Sequence, residues 1–124
     1  MRIFKTAWFE RFAQARDIPD ALLREAVERA ERGSVDARLG GGVLKQRIPR
    51  VESGRSGGYR AIVLLRPAER AFFVYGYAKS DRSDLRPDEL AQFKHMARHV
   101  LGLTDDQLAA LVARGDFEEV RVHE

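Results

Sequence analysis

The chain has 124 residues, 44% of them hydrophobic and 33% charged, which is the composition of a soluble domain that buries its own core. It contains no cysteine, which excludes disulfide scaffolds, zinc–thiolate sites, iron–sulfur clusters and cysteine nucleophiles. The length predicts a single domain over residues 1–124, and the net charge of +3 by itself indicates little. The sequence has no apolar run near the roughly 18 residues of a membrane span and no signal-peptide pattern, so we expect a cytoplasmic protein without a membrane segment.

The N-terminal part of the chain predicts a short strand followed by two helices. Residues 2–5 have the pattern of a strand. Residues 7–16 carry an apolar stripe at helical spacing, and a second helix is predicted to begin at Pro19 and to end at Gly33. We expect the two helices to form a hairpin.

The middle of the chain predicts three strands after a run of glycines at 40–42. Residues 43–48 form the first, residues 59–65 the second and residues 71–79 the third. The second and third strands are expected to pair antiparallel, because only a short turn separates them. The glycine-rich stretch between the first two strands is predicted to be a loop.

The C-terminal part of the chain predicts two more helices. The first begins at Pro87 and ends at Gly102, and the second begins with a capping box at residues 104–107 and ends at Gly115. Residues 117–122 could add an edge strand. The predicted fold is therefore α+β: an N-terminal helical hairpin packed on a small, mainly antiparallel sheet, followed by C-terminal helices, with an extension at about residues 103–124.

The charge is unevenly distributed along the chain. Residues 40–82 carry nine basic and three acidic side chains, whereas residues 83–124 carry five basic and nine acidic ones. A basic middle beside an acidic end favours a local site for a polyanion. The alternative is a solvated arginine-rich surface without a ligand, because 18 of the 22 basic residues are arginine.

Strand alternation predicts that basic and aromatic side chains share one face of the sheet. On the third strand, one face would carry Phe73, Tyr75, Tyr77 and Lys79. The other would carry Phe72, Val74, Gly76 and Ala78, and would pack on helices. A concave surface with five polar side chains around one point is then geometrically possible: Lys45, Arg47, Arg60, Tyr77 and Lys79.

These residue types suit the cleavage of RNA by its own 2′-hydroxyl. That reaction needs a base for the 2′-OH, cations for the extra phosphate charge and an acid for the 5′-oxygen. Lysine and tyrosine can transfer protons beside cations, arginine can bind phosphate with two hydrogen bonds, and aromatic rings can stack on bases. The alternative is that the strand tyrosines are core residues and that Lys79 is an edge charge.

A metal site is not expected. His95 and His99 are four residues apart on a predicted helix, a spacing that can bind metal. No adjacent glutamate completes a zinc-binding motif, and no third ligand is evident. We therefore predict neither a metal nor another cofactor.

Three segments together resemble the RelE/ParE superfamily of toxins from bacterial type II toxin–antitoxin modules, and the HigB-like group in particular. They are the basic strand at residues 42–48, the glycine-rich basic loop at 54–60 and the aromatic strand at 72–80 that ends in Tyr-x-Lys. The resemblance implies a ribosome-dependent endoribonuclease that cuts mRNA and halts translation. It also implies a cognate antitoxin, often with a helix-turn-helix domain.

The resemblance also implies roles for single residues. Lys45 and Arg47 would contact and activate the scissile region, and Arg60 would stabilise the phosphate. Tyr77 and Lys79 would stack or transfer protons beside it. Four further residues are expected to contact RNA: Arg50, Arg55, Tyr59 and Tyr75.

Two other functions remain open at this point. The ParE branch of the superfamily has the same fold and poisons DNA gyrase without cutting RNA, so the fold alone does not choose between them. A non-catalytic RNA-binding module would also carry a basic sheet face. The basic residues on the three strands favour the ribonuclease.

Overall fold

The computed structural model of the chain describes residues 1–50 and 58–121. Within these residues the elements follow one another as β1 (Arg2–Thr6), α1 (Ala7–Ala15), α2 (Asp20–Glu31), β2 (Ala37–Gly40), β3 (Val43–Ile48), β4 (Tyr59–Arg66), β5 (Arg70–Ala78), α3 (Pro87–Val100), α4 (Asp105–Arg114) and β6 (Phe117–Glu119). The predicted α+β class is confirmed, and so is a strand after the last helix. The strand β2 was not predicted.

The strands form one mixed sheet in the order β2-β3-β4-β5-β1-β6. The antiparallel pairing of β4 with β5, predicted from the short turn between them, is confirmed. β1 lies inside the sheet, parallel to β5 and antiparallel to β6. The sheet is therefore larger and more mixed than the small, mainly antiparallel sheet that the sequence predicted.

Helices cover both faces of this sheet and create two separate cores. The face that packs on α1 and α2, the helices of the predicted hairpin, is called the hairpin face, and the opposite one, which packs on α3 and α4, is called the α3 face. Buried members of the hairpin core are Phe9, Leu23, Val27, Ile48 and Phe73. Buried members of the α3 core are Phe4, Ile62, Phe72, Val100 and Leu108. Burial on both sides explains why the central strands are apolar along most of their length.

The ends of α4 follow the signals in its sequence. The N–H of Gln107 donates to the Thr104 hydroxyl at 3.1 Å, and the Thr104 N–H donates to the Gln107 side chain at 2.9 Å. The predicted capping box is thus confirmed. Gly115 ends the helix with a φ of +89°, a left-handed conformation that glycine adopts without steric cost.

A β-bulge in β5 changes which side chains share a face. Neighbouring residues of β4 pair with Phe73 and Tyr75, so Val74 between them has no partner residue. Phe73 belongs to the hairpin core, whereas Val74 and Tyr75 belong to the α3 core. The prediction that Phe73 shares a face with Tyr75 is therefore wrong, because strict alternation fails at a bulge. For the same reason Gly76 and Ala78, predicted to lie beside Val74, lie on the hairpin face.

The C-terminal extension packs on the α3 face and on the edge of the sheet. Leu108 of α4 and Phe117 of β6 are both buried in the α3 core. The Arg2 guanidinium of β1 donates two hydrogen bonds to the Glu119 carboxylate of β6, at 2.9 and 3.0 Å. The extension is thus an integral part of the packed structure.

Candidate functional site

Three neighbouring strands bring predicted basic and aromatic residues to one face of the sheet. Arg47 of β3 lies opposite Arg60 of β4, and Arg60 lies opposite Tyr77 of β5. The adjacent row contains Lys45 of β3 and Tyr75 of β5. Opposed residues of antiparallel strands share a face, as do alternate residues of one strand, so all five lie on the α3 face. These five residues are called the basic face.

Two arginines of the basic face lie side by side. Arg47 is exposed and Arg60 is half-buried, and neither guanidinium forms an ion pair with a carboxylate of residues 1–50 or 58–121. The backbone of Arg47 is held firmly, since its N–H donates to the Asp36 carboxylate and its carbonyl accepts from Arg29 at 2.6 Å. Like charges directly opposite each other destabilise a strand pair. The arrangement therefore favours an anion that binds both side chains.

The third cation of the basic face is paired with a carboxylate from another element. The Lys45 ammonium lies 3.0 Å from the carboxylate of Asp84, which belongs to the connection between β5 and α3. Hydrogen bonds from the Leu85 N–H and from Lys45 hold the pKa of Asp84 below its usual value. Lys45 and Asp84 therefore form an ion pair on the basic face.

Tyr77 places a hydroxyl group inside the site. Its side chain is buried, and its hydroxyl has no hydrogen-bond partner among the described residues. Burial raises the pKa of Tyr77 above its ordinary value, although the charges of Lys45, Arg60 and Arg82 partly oppose this effect. The phenol is therefore protonated at neutral pH and can donate a hydrogen bond or a proton.

Arg82 is a site residue that the sequence reasoning counted only as part of the basic middle of the chain. Its guanidinium donates to the Glu89 carboxylate at 2.5 and 3.1 Å and to the Tyr75 hydroxyl at 3.2 Å. It also lies 5.5 Å from the centre of the Tyr77 ring. The hydrogen bonds from Arg82, together with one from the Arg86 N–H, lower the pKa of Glu89 to about 2. The dense run of charges directly after the third strand is the signal that could have identified Arg82.

An aromatic cluster borders the basic face. The Tyr75 ring stacks on Trp8 of α1 at 4.8 Å between ring centres and lies 5.8 Å from Phe93 of α3. Trp8 is 40% exposed, which is unusual for so large an apolar side chain. Partly exposed aromatic rings beside cations are the surface on which unpaired bases stack.

Two of the remaining predicted site residues, Tyr59 and Arg50, lie away from the basic face. Tyr59 is on the hairpin face, where its ring packs edge-on against Phe12 at 5.8 Å, and the Arg50 guanidinium lies 5.7 Å from the Tyr59 ring. Lys79 directly follows β5 and is exposed, with its N–H donating to the Gly58 carbonyl at 3.3 Å. Arg55 lies outside the described residues.

Two kinds of feature are absent from the described part of the chain. No group of three His, Cys, Asp or Glu side chains in residues 1–50 and 58–121 could hold a metal ion. His95 instead lies 3.4 Å from the Arg98 guanidinium through its Nδ1 atom. No helix within these ranges is long and apolar enough to cross a membrane.

Comparison with protein families gives a match over nearly the whole chain. Residues 1–120 match the family described as the RelE toxin of the RelE / RelB toxin–antitoxin system. No curated protein matches the chain. The matched residues span all the strands and helices from β1 to β6, and they include the whole basic face.

Proposed function

The chain belongs to the RelE toxin family and is therefore the toxin of a toxin–antitoxin pair whose partner is a cognate antitoxin, and on this premise we propose that it is a ribosome-dependent mRNA endoribonuclease. It acts in the cytoplasm by cutting mRNA on the ribosome, and so it blocks translation. Within the family we place it in the HigB-like group, with an antitoxin of the helix-turn-helix type.

The proposed reaction uses the ribose 2′-hydroxyl as its nucleophile. The 2′-oxygen bonds to the adjacent phosphorus while the bond from phosphorus to the 5′-oxygen breaks. The 2′-OH loses a proton and the departing 5′-oxygen gains one, which leaves a 2′,3′-cyclic phosphate and a 5′-hydroxyl. Because the nucleophile belongs to the RNA, the protein must supply cations, proton transfer and orientation.

The pair of opposed arginines is the observation that carries this proposal. Arg47 and Arg60 lie directly across from each other on β3 and β4, and no described carboxylate neutralises either one. A phosphate between them would accept hydrogen bonds from both guanidinium groups and would relieve their repulsion. The interaction strengthens as negative charge builds on the phosphate in the transition state.

Tyr77 is assigned to the leaving group. Its hydroxyl is buried beside the arginine row, lacks a described partner and has a raised pKa, so it holds its proton at neutral pH. These properties suit a donor to the 5′-oxygen and are unsuited to a base for the 2′-hydroxyl. Lys45 contributes a further cation to the scissile region, and Tyr75 contributes an aromatic surface. Lys79 completes the proposed set at the end of β5.

Combined removal of Arg60 and Lys79 tests the proposed function. The double variant Arg60→Ala, Lys79→Ala should no longer arrest the growth of cells and should no longer cleave mRNA in a translating extract. Its circular dichroism spectrum should match that of the wild type. Arg60→Ala alone should lower the cleavage rate by about 100-fold. Arg66→Ala is the matched control, because Arg66 is an exposed arginine of the same strand that pairs with Glu69 at 3.2 Å. Full toxicity of the double variant would refute the proposal.

Two other results would identify a different activity. DNA double-strand breaks with intact messages would indicate a gyrase poison of the ParE type. Binding of RNA that weakens steeply with salt, without cleavage when ribosomes are present, would indicate a non-catalytic RNA-binding module.

A further inference from the structure

The connection between β5 and α3 places a carboxylate directly on the basic face. Asp84 lies 3.0 Å from the Lys45 ammonium. The Lys45 side chain is only 17% exposed, whereas that of Asp84 is 63% exposed. The carboxylate therefore reaches Lys45 from the solvent side, which is the side from which a ligand approaches.

Several contacts fix this carboxylate in place. The Leu85 N–H donates to the Asp84 carboxylate at 2.8 Å. The Arg82 guanidinium donates to the Asp84 carbonyl at 2.9 and 3.1 Å and is itself anchored on Glu89. An exposed ion pair between freely rotating side chains contributes little, but here the acidic partner is held before the pair forms. Asp84 is thus a positioned group.

The surroundings of Asp84 are those of a phosphate site. A carboxylate and a phosphate both present anionic oxygens, and an ammonium donates to either at the same distance. Arg47 and Arg60 lie on the same face as Lys45, and the nearby Tyr77 hydroxyl still lacks an acceptor among the described residues. Asp84 neutralises one cation of this group and leaves the others for a larger anion.

We propose that Asp84 occupies the place of an RNA phosphate at Lys45, and that bound RNA displaces it. This inference rests on the proposed function, because it takes the ligand of the basic face to be an RNA strand. The carboxylate and the phosphate repel each other and compete for one ammonium, so Asp84 lowers the affinity for RNA until it moves away. Asp84 is accordingly a residue that sets affinity, and it takes no part in the chemical step.

RNA binding by charge-neutral variants tests the inference. The probe is a fluorescently labelled RNA decamer with 2′-O-methyl groups at every position, which cannot be cleaved, and the measurement is its anisotropy with the full chain. Asp84→Asn removes the charge and keeps an oxygen that accepts from Leu85. It should bind the probe about fivefold more tightly than the wild type, since an ion pair no longer competes.

Asp88→Asn is the matched control. It removes the same charge four residues away, from an exposed carboxylate that pairs with Arg86 and does not touch the basic face. Its affinity should stay within about twofold of the wild type.

In a Lys45→Ala background, Asp84→Asn should add no affinity, because its effect acts through Lys45. Should Asp84→Asn fail to fold by circular dichroism, Asp84→Ser provides the same comparison.

The outcomes separate this inference from the proposed function. Equal binding by Asp84→Asn and Asp88→Asn, or a gain that persists without Lys45, overturns the inference even if the wild type cleaves mRNA. Tighter binding by Asp84→Asn that depends on Lys45 supports the inference even if no cleavage is detected, and the nuclease proposal then fails alone.

Discussion

Opposed positive charges and an unpartnered hydroxyl concentrate on one patch of the sheet. Arg47 lies directly opposite Arg60 on the neighbouring strand, and the buried Tyr77 hydroxyl has no hydrogen-bond partner among the described residues. Each feature lowers stability, because like charges repel and a buried polar group loses its hydrogen bonds to water. Conflicts of this kind are expected where a ligand completes the site.

Tyr77→Phe should separate stability from activity. Removal of the unsatisfied hydroxyl should raise the free energy of unfolding by about 1 kcal/mol, measured by urea denaturation. The same change should lower the rate of mRNA cleavage by about 100-fold, because the proposed proton donor is lost. A less stable variant with full activity would show that the hydroxyl has a structural partner and no part in the reaction.

The ion pair between Arg82 and Glu89 predicts a dependence of stability on pH. The pKa of Glu89 is lowered to about 2, so its contribution is fully present above its ordinary pKa of about 4.5 and is lost as the pH falls toward 2. Glu89→Gln should therefore be less stable than the wild type at pH 6 and nearly equal to it at pH 2, in thermal unfolding. Glu118→Gln, which changes an exposed carboxylate, is the control. The difference in stability between this variant and the wild type should not depend on pH in this way. A difference in stability between Glu89→Gln and the wild type that stays constant with pH would contradict the stabilising role of the ion pair.

The bulge in β5 decides which side chains at the end of the strand face each core. Before the bulge Phe73 packs under α1, and after it Tyr75 and Tyr77 face the opposite side. Gly76 then turns toward α1, where the Phe12 ring occupies the space that a side chain would take. The element thus supplies both hydrophobic packing and the aromatic part of the site.

Gly76→Ala should weaken the packing of α1 on β5. A β-carbon at this position would lie 2.5 Å from Phe12 Cε2, so the ring or the helix must shift. The expected loss is about 1–3 kcal/mol of unfolding free energy, measured by urea denaturation. Phe12→Leu in the same background should recover part of that loss. Gly102→Ala is the control, because its nearest neighbour would be at 3.6 Å, an ordinary contact. Equal stability of both glycine variants would argue against the close approach.

The described part of the chain is a single sheet between two helical layers. The C-terminal extension completes the layer on the α3 face. Arg70 is buried and donates to the Leu103 carbonyl at 2.8 Å and to the Asp105 carboxylate at 3.1 Å. These bonds connect β5 to the end of one helix and the start of the next. Since both layers pack on the same strands, we expect the chain to unfold as one unit.

Leu108→Ala tests the role of the extension in this unit. Leu108 is fully buried in the α3 core, so its truncation should cost about 2–5 kcal/mol of unfolding free energy in a single urea transition. Leu111→Ala on the same helix should cost less, because Leu111 is only partly buried. A separate early transition for the variant would show that α4 and β6 form an independent unit.

Local sequence signals sufficed for most elements of the fold. Helical spacing, the capping box and the glycine stops predicted the four helices within a few residues, because such signals act within one or two turns. The short strand β2 escaped prediction. It depends on the buried Gln46, whose side chain accepts from the Asp36 N–H at 2.8 Å and donates to the Ala26 carbonyl at 2.9 Å. Contacts between elements create that strand.

For the site, too, the sequence predicted one part, and contacts between elements decided the other. The sequence by itself determined that Lys45 and Arg47 share one face of a strand and that the strand of Arg60 pairs with the next one, since alternation and short turns follow from covalent geometry. Only the tertiary structure decided that Asp84 meets Lys45 across 39 residues and that the bulge turns Phe73 away from the site. Register and long-range ion pairs depend on how whole elements pack, and no short segment carries that information.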